Sequence, residues 1–223
     1  MATQNQKRVG VVLSGCGYLD GSEIHEATLT LLALDRLGAK TIAMAPDVQQ
    51  MHVIDHLAGA AAGGENRRVL IEAARIARGQ ITDIAKVSSA DLDALVFPGG
   101  YGAAKNLSTF AVDGTALRVN PEVTRLVEEM HRAAKPMGFV CIAPVIAARV
   151  LGKSGPKLTI GNDQGTAAAL ESLGARHVCC QVDGIVIDSA LKIVSTPAYM
   201  EPATIAKVAV GIEKLAAAVL ELA

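Results

Sequence analysis

A short apolar run that breaks at a cysteine and restarts as a helix constrains this chain more than any other stretch. Lys135 and Pro136 end a helical pattern, and Met137-Gly138-Phe139-Val140 then reads as a buried strand. The run stops at Cys141. Ile142-Ala143-Pro144-Val145-Ile146-Ala147-Ala148 follows, rich in alanine and aliphatics, with Pro144 tolerable only in a first helical turn. A strand that turns at once into a helix, with a nucleophilic side chain at the bend, is the nucleophile-elbow layout, here with a thiol. The helix dipole and its unpaired N–H groups then favour the thiolate. The alternative reading is that Cys141 is a small buried hydrophobe, as most unpaired cysteines are.

The rest of the chain supplies the same alternation of strand and helix. Val9 to Leu13 reads as a strand, and the loop Ser14 to Gly21 leads to Ser22 as N-cap of a helix from Glu23 to Leu37, closed by Gly38. Thr41 to Ala45 is the next strand. That order predicts a parallel sheet with right-handed crossovers. Residues Pro46 to Gly64 depart from the pattern, and the tract Ala58 to Gly64 reads as a flexible loop. A helix follows from Asn66 to Arg78, then a segment from Ile81 to Ile84 that is either strand or loop. Ala94 to Phe97 is a buried strand and Pro121 to Ala134 a helix. Beyond the elbow come a strand from Leu158 to Gly161 and a helix from Thr166 to Leu173. Gly184 to Asp188 and Lys192 to Thr196 form an antiparallel hairpin, and a helix runs from Glu201 to Leu222. With neither internal repeat nor linker, residues 1–223 are expected to form one α/β domain.

Composition excludes several functions. Lys and Arg total 21 against 22 Asp and Glu, a formal net charge of −1 that offers no basic face for nucleic acid. Three Tyr, three Phe and no Trp leave too few rings for single-strand stacking. No apolar run reaches the ~18 residues of a membrane span. The polar stretch Met1 to Arg8 is too short for a signal or transit peptide. Cys16, Cys141, Cys179 and Cys180 show no metal-binding spacing, so reduced thiols in the cytoplasm, with neither metal nor cofactor, are expected.

Sites in open α/β sheets form at the carboxyl ends of strands, and three such ends carry chemistry. The first leads to Glu23 and Glu26, which lie three positions apart and share one face of a first helical turn. Either can reach back toward Cys141, where desolvation raises a carboxyl's pKa and equips it to carry a proton. Both residues also fit a purely electrostatic role at the helix N-terminus. The second end is Pro98-Gly99-Gly100-Tyr101-Gly102-Ala103-Ala104-Lys105-Asn106. Its glycines either form an anion nest or simply make a tight turn. The N–H groups of Gly99, Gly100 and Ile142 are candidate oxyanion donors when Cys141 attacks a carbonyl. Cys16, in the first glycine loop, either lines the pocket or is a spectator. His25, His52, His56, His131 and His177 read as surface or structural residues.

These stretches resemble a known family. Val11 to Gly17, Asp20 to Glu26, Pro98 to Leu107, Gly138 to Pro144, Leu158 to Gly161 and Thr196 to Met200 are similar to the ElbB family, the isoprenoid-biosynthesis glyoxalase proteins. That family sits in the PfpI/ThiJ group of the class I glutamine-amidotransferase-like superfamily. The resemblance implies a flavodoxin-like three-layer sandwich with a mostly parallel central sheet, usually a homodimer. It also implies Cys141 as nucleophile, Glu26 as the carboxylate contacting it with Glu23 the less favoured alternative, and substrate contacts at Gly99, Gly100, Ile142, Cys16 and Asn106. The activity it implies is that of a glutathione-independent glyoxalase acting on a small 2-oxoaldehyde without cofactor. Two departures disfavour a peptidase or glutaminase: Ile142 stands where PfpI-type proteins carry His, and Ser195 to Glu201 contains no His. The competing expectation is a non-catalytic regulatory or redox-sensing protein.

Overall fold

A computed structural model describes residues 6–223; Met1 to Asn5, most of the polar N-terminal stretch read above, lie outside the described residues. In chain order the first half contains β1 (Arg8–Val12), α1 (Ile24–Arg36), β2 (Lys40–Ala45), β3 (Ile54–Asp55), β4 (Ala60–Ala61), α2 (Val69–Ile76), β5 (Thr82–Asp83), β6 (Ala94–Phe97), α3 (Tyr101–Lys105) and α4 (Phe110–Asp113). The second half contains α5 (Pro121–Arg132), β7 (Met137–Val140), α6 (Pro144–Leu151), β8 (Lys157–Leu158), α7 (Gln164–Ser172), β9 (Arg176–His177), β10 (Val186–Asp188), β11 (Ile193–Thr196) and α8 (Ile205–Leu222).

Seven strands form one sheet in the order β10-β11-β7-β6-β1-β2-β5. Every pairing is parallel except β10 against β11, the hairpin expected from the sequence. This is the α/β, flavodoxin-like sandwich. Alternation along the strands sorts the core into two layers. Val9, Val11, Ala94 and Val96 pack with Leu34 of α1 and with Ile212 and Leu215 of α8. Val12, Leu95, Phe97 and Phe139 pack on the other side with Leu126 of α5 and Ile146 of α6. Phe97 and Phe139 stack at 5.0 Å between centroids. Burying both faces is what lets β6 and β7 read as unbroken apolar runs.

Several sequence expectations shift. Glu23, not Ser22, caps α1, accepting from the Glu26 N–H at 2.7 Å. The Ser22 hydroxyl is buried and accepts from the Ser14 N–H instead. The Ile81–Ile84 segment contributes the short edge strand β5, and β3 and β4 form a small hairpin inside the Pro46–Gly64 excursion. Of the strand expected from Leu158 to Gly161 only Leu158 is in a strand; with Lys157 it forms β8, which pairs with β9 away from the main sheet. The last helix starts at Ile205 behind a Thr204 cap, not at Glu201, because Glu201 precedes Pro202 and is held extended. Among the described residues no helix is long and apolar enough to cross a membrane.

Candidate active site

The sheet order changes direction at β1, with β2 on one side and β6 on the other, and the site lies at the carboxyl ends beside that point. Four loops meet there. The loop after β1 is tied to the turn after β6 by Glu23 N–H to Gly99 C=O (2.9 Å), Tyr101 N–H to Tyr18 C=O (2.8 Å) and Gly102 N–H to Gly21 C=O (2.8 Å). The elbow after β7 is tied to the end of β11 by Cys141 N–H to Thr196 C=O at 3.0 Å.

Cys141 has a φ of +60°, the left-handed conformation that an L-residue adopts only at a cost. That strain is the signature of the elbow, and it aims the side chain off the end of the sheet. Pro144 occupies the first position of α6, where its missing N–H costs nothing.

Of the two carboxylates, Glu26 is the one against the thiol. Its Oε2 accepts from the Gly99 N–H at 3.0 Å and its Oε1 from the Tyr199 N–H at 3.2 Å, with no exposed surface. Burial, then the charge of Glu23, pushes its pKa up to about 8, against the pull of the Tyr199 and Gly99 N–H groups and the Cys141 thiol. The Cys141 thiol is also pushed up, first by burial and then by the charge of Glu26, while the N–H groups of Gly100 and Ile142 pull it down. This corrects the expectation of a helix-stabilised thiolate: desolvation outweighs the dipole. When Glu26 is protonated its repulsion of the thiolate vanishes, so the pair is best described as sharing a proton.

The oxyanion expectation also needs revision. The Gly99 N–H is already committed to Glu26. Gly100 and Ile142 are the donors that face Cys141. Gly100 has a φ of +96°, and a Cβ there would strike the backbone of Gly21, Ser22 and Glu23. Gly99 is as tightly enclosed, because a Cβ would meet the Cys141 Cβ and the Glu26 Oε2. Gly99→Ala is therefore expected to cost about 1–3 kcal/mol by overpacking and to separate Glu26 from the thiol. Chemical denaturation and turnover of the variant check both.

Two expected site residues sit elsewhere. Asn106 is buried, donates to the carbonyls of Ser14 and Asp20 (both 2.8 Å) and accepts from the Met51 N–H. Those bonds brace the loops and do not line the cavity. Cys16 is half-buried beside Glu72, Arg75 and Asp20, and its thiol is raised mainly by burial. It too lies outside the cavity.

Above Cys141 opens a cavity of about 400 Å³, lined in part by Glu23, Gly100 and Ile142 and by residues that sequence reading did not select: Tyr18, Tyr101, Phe110, Asp163 and Tyr199. Their positions span 182 places along the chain, so only the scarcity of aromatics could have hinted at a shared location. His25, read as a surface or structural residue, is exposed, with Nδ1 2.9 Å from the hydroxyl of Tyr199. Among the described residues no group of three or more His, Cys, Asp or Glu is placed to hold a metal ion.

No family model matches the sequence. Glutamine amidotransferase-like class 1 domain-containing protein 3, mitochondrial, of Homo sapiens is 51% identical over 224 residues, covering 96% of this chain and 83% of that protein. The ES1 protein homolog, mitochondrial, of Rattus norvegicus is 49% identical over 230 residues, covering 99% and 86%. Among solved structures, an isoprenoid biosynthesis protein with amidotransferase-like domain from Ehrlichia chaffeensis superposes with a TM-score of 0.90 at 36% identity, covering 97% of this chain and 99% of that one. Drosophila melanogaster DJ-1beta, at 18% identity and a TM-score of 0.59 over 97% and 95%, shares the fold. The cytoplasmic expectation is corrected by these relatives. The human, rat and Danio rerio proteins are all named as mitochondrial, so unpaired thiols do not specify the compartment.

Proposed function

This chain belongs to the family of ES1 and glutamine amidotransferase-like class 1 domain proteins, and from that premise we propose that it is a glutathione-independent glyoxalase. Its substrate is a 2-oxoaldehyde, and its product the 2-hydroxy acid. The observation that carries the reading is the buried Cys141–Glu26 pair with Gly100 and Ile142 N–H groups beside it. The 36%-identical Ehrlichia chaffeensis protein, titled for isoprenoid biosynthesis, supports the finer assignment to the ElbB group. A homodimer is part of the same proposal.

The chemistry needs one shared proton and no redox partner. Cys141 sulfur adds to the aldehyde carbon, and the new alkoxide takes the Glu26 proton, leaving a hemithioacetal and a carboxylate. Glu26 then removes the hydrogen from that carbon. The resulting enediolate is held by the Gly100 and Ile142 N–H groups. A proton moves between its oxygens, Glu26 returns its proton to the second carbon, and a 2-hydroxy thioester forms. Water cleaves the thioester and releases the thiol. One carbon is oxidised as its neighbour is reduced, so glyoxal plus water gives glycolate. A carboxyl with a pKa of about 8 suits this traffic, because it takes and returns a proton near neutral pH.

The regulatory alternative draws less support. Redox-sensing cysteines are exposed and low in pKa, whereas Cys141 is buried and raised. The test is to incubate the purified protein with glyoxal or methylglyoxal in the absence of glutathione and measure glycolate or lactate. Steady formation of the acid is expected. Consumption of aldehyde with no acid formed would leave Cys141 as a mere trapping thiol and sink the proposal.

A further inference from the structure

Aromatic residues are scarce in this chain, three Tyr, three Phe and no Trp, yet their distribution is not random. Phe97 and Phe139 are fully buried and stacked on each other in the core. The other four rings, Tyr18, Tyr101, Phe110 and Tyr199, all line the cavity over Cys141. Tyr18 and Tyr101 are 50% and 51% exposed there, an unusual setting for large rings.

Charge in the cavity has one sign. Glu23 and Asp163 line it, and no Lys, Arg or His does. Each carboxylate caps a helix with one oxygen, Glu23 to the Glu26 N–H and Asp163 to the Thr166 N–H, both at 2.7 Å. Among the described residues neither has a cationic partner within 4.0 Å. Ring faces are electron-rich, and beside carboxylates they attract cations and repel anions. Tyr101 already does so on the protein's own account: Lys105 Nζ sits 5.1 Å from its centroid while donating to the Leu19 carbonyl. The cavity's volume of about 400 Å³ is that of sites for ligands far larger than glyoxal.

We propose that the native substrate is cationic, a 2-oxoaldehyde carrying an alkylammonium group. Its charged end is held by the aromatic faces and by Glu23 and Asp163, and its carbonyl lies over Cys141. The reacting end rests on the glyoxalase reading above; the charged end does not. Carboxylate- or phosphate-bearing aldehydes are disfavoured by the same residues.

Two probes without a carbonyl separate the claims: choline and its neutral isostere 3,3-dimethylbutan-1-ol, titrated calorimetrically into the wild-type protein. Choline is expected to bind saturably and about tenfold tighter than the alcohol. The preference is expected to fall in Tyr18→Leu and Tyr101→Leu, which alter exposed rings and spare the core, and in the Glu23→Gln/Asp163→Asn double variant. Equal affinity for the two probes, or no saturable choline binding at tens of millimolar, overturns the inference. Turnover plays no part in the readout. A protein that prefers choline yet makes no glycolate keeps this inference and loses the glyoxalase reading; the opposite result does the reverse.

Discussion

Cys141→Ala is expected to reduce acid formation from glyoxal by at least about a thousandfold, since the covalent route has no second nucleophile to fall back on. The other thiols cannot substitute: none of Cys16, Cys179 and Cys180 lines the cavity. Cys141→Ser is expected to be nearly as inactive. A hydroxyl is far less acidic than a thiol, and no His lines the cavity to activate it. Both variants keep the backbone partner of the elbow, the Thr196 carbonyl, so they should fold. Circular dichroism and the rate of glycolate formation, measured on the same preparations, check this. A folded Cys141→Ala protein with an undiminished rate would remove the thiol from the mechanism.

Glu26→Gln is expected to change how stability depends on pH. In the unfolded chain Glu26 ionises with its ordinary value of 4.5, whereas in the fold burial holds its proton until about pH 8. The folded state therefore binds one more proton throughout that interval. Stability is then lost as pH rises, by about 1.4 kcal/mol per pH unit. Over the window the loss is on the order of 5 kcal/mol for the wild type. The Gln variant lacks this contribution entirely. At pH 4.5 it loses only one hydrogen bond, because the Gln oxygen accepts from one of the Gly99 and Tyr199 N–H groups while the NH2, a donor, cannot accept from the other. The difference in unfolding free energy between the two proteins should thus tilt toward the variant with rising pH and level off near pH 8. Urea titrations at half-unit pH steps measure it. A difference that stays flat would mean that Glu26 is ionised in the fold and cannot be the proton carrier.

Such a cost fits a functional group. A buried carboxylic acid without a salt bridge lowers stability at neutral pH, even though Glu26 satisfies the Gly99 and Tyr199 N–H groups. The strained φ of Cys141 is a second local cost, adjacent to the first.

What the sequence by itself determined was local. Unbroken apolar runs marked β6 and β7, and the switch from strand to helix across Cys141 and Pro144 marked the elbow. Backbone sterics act over a few residues, so those signals are complete within the stretch that carries them. Glu23 and Glu26 were both legible as candidates for the same reason, but spacing cannot say which faces the thiol. That choice was tertiary. The Gly99 and Tyr199 N–H groups, from loops 73 and 173 positions away, seize Glu26 and leave Glu23 as the cap of α1. The direction of the thiol's pKa was likewise undecidable locally, because the dipole of α6 is visible in sequence while the burial that overrides it is created by loops from four strands. The aromatic cavity depends most on the fold. Tyr18, Tyr101, Phe110 and Tyr199 share no periodicity, and only a parallel sheet, which delivers the ends of β1, β6 and β11 to the same edge, brings them over one cysteine.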